Sequence, residues 1–112
     1  MIEKILLDYL NDILKVPVYM EEPEKNIKKF VVLEKTGSSK VNKIPTATIA
    51  VQSYGPTLYD AAELNEQVKT VIEAAIVLPE ISAIRLNSDY NFTNPTTKQY
   101  RYQALYVITY LA

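Results

Sequence analysis

Carboxylates, lysines and tyrosines carry the reactive chemistry of this chain, because it contains neither cysteine nor histidine. That composition excludes disulfides, thiolate nucleophiles, zinc–thiolate centres and an imidazole base near neutral pH. Any catalysis would fall to Asp, Glu, Lys or Ser. The grouping with most to offer is Asp60, Glu63 and Tyr54, provided that a cleft brings them together. Glu21, Glu22 and Glu24 form a second acidic group. They lack the glycine and the alternating aspartates of an oxygen-ligand cation loop, so the segment Glu21–Asn26 reads as a solvated loop. Gly37 and Gly55 stand alone and build no phosphate-cradling loop. The expectation is a chain without reaction, cofactor or metal.

Two other groups point to contact rather than catalysis. Thr36, Gly37, Ser38, Ser39, Lys40, Val41, Asn42 and Lys43 make a polar, flexible, basic segment between two strand-like stretches. It reads as the tip of a long hairpin, either a mobile surface loop or an arm that orders on a partner. The chain also holds nine tyrosines. Tyrosine is enriched at interfaces, where the ring is buried and the hydroxyl stays wet.

The elements that hold these groups follow from hydrophobic spacing. Ile2, Ile5, Leu6, Tyr9, Leu10, Ile13 and Leu14 form one apolar stripe at helical spacing, predicting a helix from about Ile2 to Leu14. Pro17 ends it, and Val16–Tyr19 suits an edge strand. Phe30–Lys35 and Ile44–Tyr54 read as strands. In the second, Ala47, Ile49 and Val51 face one way and Thr46, Thr48 and Gln52 the other. Gly55–Pro56 breaks the strand. Thr57, with Asp60 three residues on, caps a helix running to about Val77, with Leu58, Ala61, Ala62, Val68, Val71, Ile72, Ala75 and Ile76 inside and Asn65 among the outer residues. Ser82–Phe92 alternates as a strand, with Ile84, Leu86, Tyr90 and Phe92 on one face. Thr93–Gln99 is a polar turn, and Tyr100–Ala112 is the last strand.

The order is α-β-β-β-α-β-β, an α+β fold over a single domain, residues 1–112. Its sheet is mostly antiparallel, of four to five strands, with both helices packed on one face. Every strand-to-strand connection is short enough for antiparallel pairing. Two helices cover one face of such a sheet and leave the other bare. The last strand is apolar on both sides, and Tyr102, Tyr106 and Tyr110 dominate one of them. That tyrosine face is expected to be the one the helices leave open, covered by another copy or a partner; the alternative is a solvated face stabilised by cross-strand pairs. A net charge of -1 gives no global field for a phosphate backbone, so nucleic acid is not expected as the main ligand. No apolar run approaches the ~20 residues of a membrane span, and no signal peptide is visible at the start.

Taken together, an N-terminal apolar helix leading into Val16-Pro17-Val18-Tyr19 and Glu22-Pro23, the strand Phe30–Gly37 with a hydrophilic hairpin after it, Ile49–Gly55 feeding a helix that opens with Tyr59–Ala62, and Tyr90–Pro95 followed by Tyr100–Gln103 give a recognisable pattern. Over nearly its whole length the chain resembles the small tail terminator, or tail completion, proteins of long-tailed bacteriophages and their prophages.

That resemblance implies a structural protein of virion assembly, with no reaction and no cofactor. It implies self-association into a ring, typically a hexamer, through a heterologous closing interface. The ring would cap the tail tube, end its growth and meet the head–tail connector protein. The chain would sit in the host bacterial cytoplasm during assembly and at the head–tail junction of the virion. Residues 36–43 are the expected contact to the tail tube protein, and Tyr102, Tyr106 and Tyr110 the expected packing between subunits. Rival readings are a head-completion or minor capsid protein, a small-ligand binder or enzyme using Asp60, Glu63 or Tyr54, and a host-cell adaptor module.

Overall fold

The computed structural model describes residues 1–24 and 27–111. Lys25 and Asn26 of the expected loop, Ala112 of the expected last strand and the side chain of Val41 lie outside what is described.

The first apolar stripe forms α1, Ile2–Ile13, which buries Ile2, Leu6 and Leu10. A short edge strand follows, β1, Val18–Tyr19. Asn11 of α1 acts as a partner for it: its amide donates to the Val18 carbonyl at 3.1 Å and accepts from the Val18 N–H at 3.0 Å. Next come β2, Phe30–Val41, and β3, Ile44–Tyr54. Then α2 runs from Leu58 to Ala74 and tightens into a 3₁₀ turn at Ala75–Val77. β4, Ile81–Asn91, and β5, Arg101–Tyr110, close the chain. Thr57 caps α2 as its type predicts: its hydroxyl oxygen accepts from the Asp60 N–H at 3.1 Å.

The strands make one sheet in the order β1-β2-β3-β5-β4, so the α+β class with both helices on one face stands. The pairings β2–β3, β3–β5 and β5–β4 are antiparallel. β1 departs from the antiparallel expectation and pairs parallel with β2, through Val18–Val31 and Tyr19–Val32. The chain between β1 and β2 is long enough to return to the same end of the sheet, which a tight turn does not allow.

The core lies between the sheet and the two helices. Ile2, Leu6 and Leu10 of α1 and Leu64, Val68 and Ile72 of α2 pack on Val31, Leu33, Ala47, Ile49, Val51, Ala104, Tyr106 and Ile108. Burying large aliphatic side chains stabilises by roughly 1.5–3 kcal/mol each, so this layer outweighs any single polar contact. The Tyr9 hydroxyl donates to the Val71 carbonyl at 3.1 Å and ties the helices together.

The placement of the last strand corrects the sequence reading. Tyr102, Ala104, Tyr106, Ile108 and Tyr110 face the helices, not open solvent. Tyr106 is fully buried, and Tyr102 and Tyr110 are half-buried. The bare side carries Arg101, Gln103, Leu105, Val107 and Thr109. Both faces of β5 are apolar, and the small residues Ala47 and Ala104 leave room under the helices for a ring as large as that of Tyr106.

Candidate interaction surface

The helix-free side of the sheet is partly covered by its own residues. Phe30 stacks on Tyr54 with centroids 4.4 Å apart and planes at 13°, and Tyr19 meets Phe30 edge-on at 6.3 Å. The Arg101 guanidinium lies 5.6 Å from the Tyr54 ring centroid and 4.6 Å from that of Phe92. Its Nη1 donates to the Tyr54 hydroxyl and its Nε to the Phe92 carbonyl, both at 2.8 Å. Tyr90 meets Phe92 edge-on at 5.9 Å. These residues are cross-strand neighbours: Phe30 pairs with Tyr54, and Tyr54 with Arg101. The next row is an amide ladder, in which Gln52 donates to Gln103 at 2.8 Å and Gln103 to the Tyr90 hydroxyl at 2.6 Å. One end of this face is thereby satisfied within the chain; the other presents Leu105, Val107, Thr46, Thr48 and Thr109, all partly exposed.

The sequence reading did not assemble this network, because alternation placed Tyr90 and Phe92 with Ile84 and Leu86. A register shift between Leu86 and Ser88 turns the second half of β4 over. Ile84 and Leu86 therefore face the helices, and Tyr90 faces the other way. The same shift swings Asp89 to the helix side. There its carboxylate accepts from Asn65 Nδ2 at 3.0 Å and pairs with Lys69 at 2.8 Å. Asn65, expected outside, is only 2% exposed. Lys69 beside Asp89 holds the aspartate below its ordinary pKa range, helped by the Asn65 amide and opposed by burial. Lys69 is raised, chiefly by the hydrogen bond to Asp89 and then by Glu66.

The basic segment is ordered rather than loose. β2 and β3 pair as far as Val41 and Ile44, and the loop between them is Asn42–Lys43, both with positive φ, 52° and 67°. That is the backbone of a type I′ hairpin, which matches the twist of the strands. Thr36, Gly37, Ser38, Ser39 and Lys40 thus belong to a strand. Residues 34–40 are all exposed. At its base Lys35 lies 3.5 Å from Glu3 of α1, whose side chain is largely covered.

The candidate catalytic residues do not meet as a group. The Tyr54 hydroxyl is held by Arg101 and donates to Gln52 at 3.1 Å. The Asp60 carboxylate accepts from the Thr57 hydroxyl, and Glu63 accepts from Tyr59 at 3.4 Å. A cleft of about 330 Å³ beside Tyr54 is lined by Ile27, Lys28, Pro56, Lys98 and Tyr100 among others, and holds neither Asp60 nor Glu63. Among the described residues no group of three Asp, Glu, His or Cys is placed to hold a metal ion, and no helix is long and apolar enough to cross a membrane.

Compared with known proteins, the sequence matches no protein-family model and no curated protein.

Proposed function

We propose that the chain is a structural protein of phage tail assembly: a ring-forming subunit that caps the tail tube, ends its growth and joins it to the head connector. The observation that carries the reading is the β2–β3 hairpin, whose β2 strand is exposed from Glu34 to Lys40 and whose outer half is basic, with Lys35, Lys40 and Lys43. A pre-ordered strand pair loses less entropy on docking than a loose loop, which suits a contact element. The residue pattern from α1 to the last strand, resembling the tail terminator proteins, supplies the partner. The role proposed is not catalytic, in keeping with the separate engagement of Tyr54, Asp60 and Glu63.

The direct test is co-sedimentation with tubes assembled from a phage tail tube protein. Replacing Lys40 and Lys43 by Glu is expected to leave the fold intact and to weaken tube binding. Unchanged binding of the doubly substituted chain counts against the hairpin as the tube contact.

A further inference from the structure

We propose that subunits join edge to edge: the outer edge of β2 in one copy pairs antiparallel with the outer edge of β4 in the next. The inference rests on the ring reading above and names the seam.

β4 is one border of the sheet, eleven residues long, and among the described residues its outer backbone groups have no strand beside them. It carries no proline and no lysine, two of the devices that keep sheet borders from pairing. At the other border β1 covers only Val31 and Val32, so β2 is open from Leu33 to its tip.

Strand direction suits the joint. β2 and β5 run one way, β3 and β4 the other. When two sheets are set side by side in the same orientation, β4 meets the next β2 antiparallel, the stronger of the two ladders. Opposite borders of one surface are joined, so the contact is heterologous and propagates until it closes, as a ring requires.

A single register satisfies the side chains. With β1 as the stop, Leu33 stands opposite Asn91 and Lys35 opposite Asp89, joining Glu3, Lys35, Asp89 and Lys69 into one alternating row of charges. β2 holds one register irregularity, between Lys35 and Gly37, and β4 two, between Ile81 and Ala83 at its start and between Leu86 and Ser88 in its middle. The Lys35–Gly37 and Leu86–Ser88 shifts each turn their strand over, and in this register they lie side by side. Beyond them Ser38 and Lys40 face the helix side opposite Leu86 and Ile84, while Ser39 faces the bare side opposite Arg85. Lys43 at the tip arrives at the start of β4, next to Glu80, whose groove with α1 also holds Asp8 and Asp12. The joint occupies the hairpin's edge and leaves its faces for the tube.

The chain has no cysteine, so engineered thiols report the seam cleanly. Ser39→Cys and Arg85→Cys, made in separate chains and checked for native thermal unfolding, are mixed under mild oxidation. Opposed residues of an antiparallel pair lie within disulfide reach. Neither variant alone is expected to cross-link, and the mixture is expected to shift to twice the subunit mass. Ser38→Cys, on the other face, is expected to give at least tenfold less cross-linking with Arg85→Cys. Light scattering of the unmodified chain, alone and with tubes, accompanies the test. Oligomers without the mixed disulfide place the seam elsewhere and overturn this inference while the ring reading stands. A chain monomeric at every concentration, on tubes as well as alone, overturns both.

Discussion

The Tyr106 hydroxyl donates to the Glu73 carboxylate at 2.9 Å, joining the middle of β5 to the last turns of α2. Tyr106 is therefore a core residue whose polar tip reaches the helix surface, and burial with the adjacent carboxylate pushes its pKa well above 10.0. Replacing it by Phe removes one hydrogen bond and is expected to cost about 1 kcal/mol. Replacing it by Ala opens a cavity under α2 and is expected to cost about 3–5 kcal/mol. Urea unfolding measures both. Because ionisation is harder in the fold than in the unfolded chain, the stabilisation is complete below the ordinary tyrosine pKa. It declines as pH rises beyond it, and Tyr106→Phe is expected to remove that part of the alkaline decline.

Asp89 governs the acid side. Its pKa is lowered in the fold, so its contribution is present above 3.8, the ordinary aspartate value, and is lost as pH falls through the lower folded value. Asp89→Ala also leaves the buried Asn65 amide without its acceptor, an expected loss of about 1–3 kcal/mol. Lys69→Ala, which removes a partly screened ion pair and keeps the Asn65 contact, is expected to cost less than about 1 kcal/mol. Acid titrations of the two variants against the parent separate these effects.

The hairpin tip has a residue that its backbone does not favour. Lys43 sits at a φ of 67° in the second turn position, where Asn-Gly is the preferred pair. Lys43→Gly is expected to raise stability by roughly 0.5–1 kcal/mol, and Lys43→Val to lower it. Thermal unfolding checks the sign.

Gly55 is required by space. A Cβ there would lie 2.6 Å from the Ala61 nitrogen and 2.9 Å from the Asp60 Cβ, inside the first turn of α2. Gly55→Ala is expected to cost about 1–3 kcal/mol by forcing the helix start away from β3. A lowered urea midpoint with an unchanged slope is the expected observation.

Local spacing was enough to place the helices and strands within a few residues, except the end of β2, read at Lys35 and found at Val41. The reason is that each α1 or α2 position three or four residues from the last repeats one face, and each β3 position two from the last repeats another. The Thr57 cap and the break at Gly55–Pro56 are equally local. What local spacing lacks is a way to choose between two apolar faces of one strand. In β5 the tyrosine side and the Leu105–Val107 side were equally fit to be buried, and only packing against α2 decided for Tyr106 and against an open tyrosine surface. The half-turn of β4 at Leu86–Ser88, the burial of Asn65 against Asp89, and the parallel seat of β1 are of the same kind. Each depends on a partner distant in the chain, and a period of two carries no information about which partner arrives.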